Sequence, residues 1–153
     1  MTHLKVGDMA PDFETVDETG NTIKLGDFRG KKLILFAYPK AMTPGCTNEA
    51  CNLRDNYQIL SDMGFVMLGL SADDAKKQIR FKEKYNFPFP LIPDTEKTIL
   101  KLYGIWGLKK LYGREYEGIN RMTFIIDEEG KIEKIFNKVK TKEHAEQIIA
   151  AYK

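Results

Sequence analysis

The sequence predicts an α/β layer protein. Three observations point there: short apolar runs alternate with amphipathic stretches, glycines and prolines separate them, and a late pair of short strands precedes a closing helix. Lys32 to Tyr38, KLILFAY, is an apolar run bounded by Gly30 and Pro39 and reads as a buried strand. Pro44 to about Met63 reads as a helix, with proline suited to its first turn, Thr43 placed to cap it and Gly64 to stop it. Phe65 to Leu70 is a second strand, and Asp73 to Tyr85 a second helix with Ser71 or Asp73 as its cap. This strand, helix, strand, helix order calls for right-handed crossovers.

Further along, Pro93 to Tyr103 reads as a short helix, and Met122 to Asp127 with Lys131 to Phe136 as a hairpin turning at Glu128, Glu129 and Gly130. Lys142 to Tyr152 is an amphipathic closing helix, and Phe13 to Lys24, with its Thr19-Gly20-Asn21 turn, an N-terminal hairpin. Two late antiparallel strands and a closing helix suit a thioredoxin-like fold with a central mixed sheet and flanking helices.

At 153 residues the chain is expected to form one domain, residues 1–153, with an ordinary core that needs no disulfide or metal staple. No linker tract or repeat period interrupts it. The net charge of +2 gives no electrostatic ground for a nucleic acid or membrane partner, and the pairs Lys76-Lys77 and Lys109-Lys110 read as solvated faces. Met1 to Asp8 holds no apolar stretch of signal-peptide length, and no segment approaches the roughly 18 apolar residues of a membrane span, so a cytoplasmic location is expected. No nucleotide fingerprint appears. His3 and His144 stand alone near the ends and read as surface residues, so neither a metal nor another cofactor is expected.

The two cysteines carry the chemistry. In the run Pro39 to Cys51, PKAMTPGCTNEAC, Cys46 falls at the start of the predicted helix, with the Thr43 hydroxyl three residues before it. A helix start offers unpaired backbone N–H groups and the positive end of the macrodipole, and both favour a thiolate. Cys51, five positions on, is a candidate resolving partner. In a reducing compartment a transient redox role suits two cysteines better than a static bond, although two inert buried thiols are the plainer alternative.

Pro39, Thr43 and Cys46 at this spacing resemble the peroxidatic motif of peroxiredoxins, and the second cysteine five residues later resembles the bacterioferritin comigratory protein, or PrxQ, branch. The likeness extends over Val6 to Lys40, Lys84 to Asp94 and Tyr103 to Ile132, three segments in the same order and spacing. It implies a peroxiredoxin-type thioredoxin-like fold with an added N-terminal hairpin. It implies an antioxidant oxidoreductase of the atypical two-cysteine type, which reduces hydrogen peroxide and organic hydroperoxides and is recycled by thioredoxin or a glutaredoxin. It also implies a monomer.

Ionising the thiol is not sufficient for a fast peroxidase. A free thiol near pKa 8.5 gains at most about thirtyfold in thiolate on full ionisation, and a Brønsted coefficient of about 0.4 to 0.5 returns roughly tenfold of that. Donors must therefore face the leaving oxygen, and the sequence offers the N–H groups around Gly45 and Cys46, the Thr43 hydroxyl and Arg121. Arg121 precedes the apolar strand MTFIID, where a sheet end would deliver its guanidinium, and it matches the family arginine in GINRMTF. Met122 departs from the small polar residue that relatives often carry there. Glu49, one turn beyond Cys46, is placed to steady Arg121 by an ion pair, and in the family Pro39 shields the thiolate from water. Taken singly each has a plainer role: Thr43 as a cap, Pro39 as a strand end, Arg121 as a surface charge, Glu49 as an exposed carboxylate.

On one regular helix Cys46 and Cys51 have Cα atoms about 8.6 Å apart, beyond the roughly 7 Å a disulfide spans, so peroxide-driven disulfide formation requires the first turns to melt. The small strained loop that results suits reduction by an external dithiol. The chain ends at Lys153 without the long C-terminal arm or Gly-Gly-Leu-Gly segment of readily overoxidised relatives, which implies resistance to excess peroxide. A thiol-disulfide oxidoreductase is the alternative enzyme, but it normally places two residues between its cysteines. A non-catalytic interaction domain is the alternative of a different class. The aromatic stretch Tyr103 to Tyr116 reads either as a pocket lining or as packing beneath a loop.

Overall fold

In the computed structural model, which describes residues 2–153, the run KLILFA becomes strand β3, Lys32–Ala37, at the centre of a five-stranded sheet. Leu33, Leu35 and Ala37 face one apolar cluster and Ile34 and Phe36 the other, all essentially inaccessible to water. A strand covered on both faces has no polar side, which is why this segment is apolar without alternation. Its neighbours are β4, Phe65–Ser71, parallel to it, and β8, Met122–Ile126, antiparallel. The edges are β5, Leu91–Pro93, parallel to β4, and β9, Ile132–Phe136, antiparallel to β8. The sheet is therefore mixed. An antiparallel pair, β1 at Glu14–Val16 and β2 at Thr22–Lys24, forms the N-terminal hairpin.

One sheet face carries helices α1, Pro44–Asp55, α2, Tyr57–Asp62, α3, Ala75–Tyr85, and α5, His144–Ala151, through Cys46, Leu53, Leu60, Phe81, Ala145 and Ile148. On the other face lie helix α4, Thr98–Leu102, and the apolar residues Phe13, Ile23 and Leu25 of the N-terminal segment.

Four expectations are corrected. The helix foreseen from Pro44 to Met63 is two, because Asn56 leaves helical geometry (φ −107°, ψ 13°) and its side chain donates to the Asn52 carbonyl, a local bond that competes with the helix ladder. The cap of α3 is Asp74, which accepts from the Lys77 N–H at 2.8 Å. The helix expected from Pro93 to Tyr103 is confined to Thr98–Leu102, since Pro93 ends β5, and an edge strand tolerates proline because one side of its backbone needs no partner. The aromatic stretch is not packing beneath a loop: β6, Trp106–Leu111, and β7, Arg114–Ile119, form a second antiparallel hairpin, and Trp106 and Tyr116 line a cavity. Tyr103 is buried before it and Tyr112 is 96% exposed at its tip.

Ser71 and Asp73 serve the active-site loop instead. Tyr38 donates to Gln78 Oε1, Gln78 Nε2 to Ser71 Oγ at 2.7 Å, and Ser71 Oγ to Asp73 Oδ2 at 2.8 Å. The same Asp73 oxygen accepts the Ala41 N–H at 2.7 Å. This buried chain of bonds ties the residues after β3 to β4 and α3, fixing where α1 begins.

Candidate active site

The loop after β3 passes half-buried Pro39, turns through Met42 at φ 72° and enters α1 at Thr43, whose extended backbone (φ −80°, ψ 154°) marks the cap position. Thr43 does not cap with its side chain. Its hydroxyl donates to the Lys40 carbonyl at 2.7 Å, which closes the loop on itself, while its own carbonyl accepts the Thr47 N–H at 2.9 Å. Pro44 occupies the first helical position, so Gly45 and Cys46 lie in the first turn, where an α-helix supplies no carbonyl for their N–H groups.

Cys46 is 1% exposed, and its Sγ accepts from Arg121 Nη2 at 3.3 Å. Arg121 arrives from the point where β8 begins, and its Nη1 bonds Glu49 Oε1 at 2.6 Å. The fork of the guanidinium thus spans one helical turn, from residue 46 to residue 49. Gly45 makes this approach possible: a Cβ there would lie 3.2 Å from Arg121 Nη2. Cys46, Gly45, Glu49 and Arg121 are brought together as expected, and Glu49 is fully buried rather than an exposed carboxylate.

Burial pushes the Glu49 carboxyl up to about 7, with the Arg121 charge opposing that rise. For Arg121, burial works against the charge, but Glu49 and the Cys46 sulfur more than offset it and hold the guanidinium protonated. Cys51 sits half-buried on the same helix, with its thiol pushed up by burial against the opposing pull of Arg54. Both thiols are free, and residues 44–55 form a continuous helix.

His144 was expected at the surface and is instead fully buried. It opens α5 one turn before Ile148, on the helix face that packs against the sheet, and Thr123 of β8 meets its Nε2 at 2.8 Å. Burial, opposed by the Gln147 hydrogen bond and assisted to a smaller extent by the Arg121 charge, depresses its pKa to about 4. The signal was present in the sequence, since His144, Ala145 and Ile148 share one helical stripe, but a histidine on an apolar face carries no label of what it meets. Lys109 is likewise half-buried, its ammonium donating to the Ile119 carbonyl at 2.9 Å.

A cavity of about 350 Å³ lies beside the loop, lined by Pro39, Lys40, Asp73, Trp106, Lys109 and Tyr116 among others. Among the described residues no three or more His, Cys, Asp or Glu converge as a metal-binding group, and no helix is long and apolar enough to cross a membrane.

The AhpC/TSA family model matches residues 6–135. Peroxiredoxin Bcp of Bacillus subtilis is 43% identical over 150 residues, covering 98% of this chain and 96% of the relative. The chain belongs to the peroxiredoxin family. Among solved structures, peroxidoxin BcpB of Mycobacterium tuberculosis superposes with a TM-score of 0.85 at 34% identity, covering 97% of this chain and 96% of that one. The Xanthomonas campestris bacterioferritin comigratory protein, studied for its alkyl peroxide reduction activity in intermediate and ligand complexes, superposes with a TM-score of 0.87 at 29% identity, covering 99% and 96%. This peroxiredoxin therefore has the thioredoxin-like fold of its family and is a thiol-dependent peroxidase.

Proposed function

We propose that Cys46 is the peroxidatic nucleophile, Cys51 the resolving thiol, and that Arg121 and the first-turn N–H groups as donors, with the Thr43 hydroxyl oxygen as an acceptor since its hydrogen goes to Lys40, orient hydrogen peroxide or an organic hydroperoxide. The observation that carries this reading is the Arg121 guanidinium, held by Glu49 and donating to Cys46 Sγ at 3.3 Å. A donor at that place stabilises the thiolate, and when peroxide enters it faces the oxygen on which negative charge develops. The Cys46 thiolate attacks one peroxide oxygen, the O–O bond breaks, and the departing hydroxide or alkoxide takes a proton to leave as water or alcohol. Cys46 is then a sulfenic acid. The cavity beside Pro39, with the Trp106 and Tyr116 rings on its wall, supports acceptance of an organic tail.

Resolution expels water from the sulfenic acid as the Cys51 sulfur bonds Cys46, giving the Cys46–Cys51 disulfide. Helix geometry keeps the two Cα atoms about 8.6 Å apart, too far for that bond, so the first turns of α1 unwind. The end of α1 has anchors of its own: Leu53 is inaccessible, and Asn52 accepts the Ala145 N–H at 2.6 Å and donates to Glu146 at 2.9 Å. Cys51, two residues from that anchor in Leu53, sits near the fixed end, and Cys46 travels.

The exposed loop disulfide suits reduction by a dithiol protein, thioredoxin or a glutaredoxin, which returns both thiols at the cost of its own oxidation. We read the chain as one cytoplasmic domain over residues 1–153, working as a monomer because an intrachain resolver needs no partner subunit. The test is stopped-flow oxidation of the reduced protein and of Cys51→Ser by hydrogen peroxide, with mass spectrometry of Cys46. Fast oxidation of both, with a disulfide in the parent and a trapped sulfenic acid in the variant, is expected. A rate no faster than a free thiol in either would remove the reading.

A further inference from the structure

At the back of the site, one carboxylate oxygen has no hydrogen donor. Glu49 reaches Arg121 through Oε1, whereas its Oε2 is sealed from solvent and has no hydrogen-bond partner. Facing it is His144 Nε2, at 4.0 Å, on a residue that is itself inaccessible. The tautomer of that ring follows from Gln147. Its Oε1 accepts the Lys140 N–H at 2.8 Å while its Nε2 donates to the Lys138 carbonyl at 3.0 Å, so the amide orientation is fixed. His144 Nδ1, 3.0 Å from that acceptor oxygen, must carry hydrogen. On a neutral ring Nε2 is then an acceptor, and the Thr123 hydroxyl donates to it at 2.8 Å. Two acceptors, both sealed from bulk solvent, thus face each other across 4.0 Å, and a single proton on either one relieves the conflict.

We propose that Glu49 and His144 hold one proton between them behind Arg121, and that His144 and Thr123 are positioning residues: they set whether Glu49 clamps Arg121 as a carboxylate or releases it as an acid. The proposal rests on Arg121 being the residue that meets the peroxide, whereas the proton is a property of the buried pair alone. As a carboxylate, Glu49 draws the guanidinium charge toward itself. As an acid, having taken its proton from bulk water, it leaves that charge to Cys46 and the substrate. The charged group facing the pair is Arg121 at the start of β8, whose other nitrogen reaches Cys46 on α1. Gln147 of α5, Thr123 of β8 and the Phe136 ring of β9 also touch His144 and do not titrate.

Infrared spectroscopy of the reduced protein reads the proton directly, as a buried protonated carboxyl band followed over about pH 5 to 9, the range in which such a shifted group titrates. Glu49→Gln, which lacks the band, assigns it. His144→Gln sets an amide N–H where Nε2 stands, favours the carboxylate and lowers the midpoint by about one pH unit, a tenfold change in the equilibrium. Thr123→Val keeps the side-chain shape but removes the competing hydroxyl, frees Nε2 to accept from the acid and raises the midpoint. Opposite shifts support the proposal. The absence of a titrating band that Glu49→Gln removes, an unmoved midpoint in both variants, or shifts of the same sign would overturn it. Cys46 oxidation by hydrogen peroxide should change with the band. A moving band with an unmoved rate would overturn the positioning role, whereas no fast oxidation at any pH would instead refute the peroxidatic reading of Cys46 and Arg121.

Discussion

Replacing Glu49 by glutamine should expose a steep dependence of stability on pH that Glu49 and His144 otherwise cancel between them. Burial raises the Glu49 carboxyl from its ordinary 4.5 to about 7, so its contribution to stability is present below 4.5 and lost as the pH rises through about 7. At about 1.4 kcal/mol per pH unit, that loss is about 3 kcal/mol. His144 runs the other way. Its pKa is depressed from 6.5 to about 4, so its contribution is present above 6.5 and lost as the pH falls through about 4. That loss too is about 3 kcal/mol. Between 4.5 and 6.5 the folded chain keeps one proton on Glu49 while the unfolded chain keeps one on His144. The two states bind equal numbers and the slopes cancel. Glu49→Gln removes one side of the balance, so the variant gains about 3 kcal/mol on going from pH 4 to pH 6.5 while the parent changes little from this pair. Urea unfolding at a series of pH values measures it. The readout is the slope, because the altered contact with Arg121 displaces the whole curve. Parallel curves for variant and parent would show that the two groups do not titrate in this opposed way.

Arg121→Gln should slow oxidation of Cys46 by hydrogen peroxide by about 10² to 10³, the usual consequence of losing one preorganised donor, read from the fluorescence of the single tryptophan in a stopped-flow instrument. Gly45→Ala sets a methyl 3.2 Å from Arg121 Nη2 and displaces the guanidinium. The same assay should show a loss of about tenfold, with a melting temperature close to that of the parent because alanine suits a helix better than glycine. Oxidation to the disulfide should remove about two turns of helix from the far-ultraviolet circular dichroism, since Cys46 and Cys51 cannot meet on a regular helix. An unchanged spectrum in the fully oxidised protein would count against unwinding.

The sequence by itself determined which segments are strands and helices wherever a pattern is local. KLILFAY reads as a strand covered on both faces and Pro44 in front of Gly45 and Cys46 as the opening of a helix, and the structure has both. The meeting of Cys46, Glu49 and Arg121 was legible because one helical turn separates the first two and a sheet end delivers the third. Long-range partners decided the remainder. Asn56 breaks a helix that the apolar period continues, and β5 gains its strand geometry by pairing with β4 in spite of its prolines. Thr43 turns its hydroxyl to Lys40, and Asp73 is claimed by Ala41 rather than by the helix it precedes. His144 is the clearest case. Its place on the inner face of α5 follows from the helical period, but its burial against Glu49 and Thr123 depends on α1, β8 and α5 packing together, residues that are far apart in the chain. Local propensity is written residue by residue. The dielectric, hydrogen-bond partners and proton of a buried side chain belong to its neighbours, and only the tertiary structure supplies those.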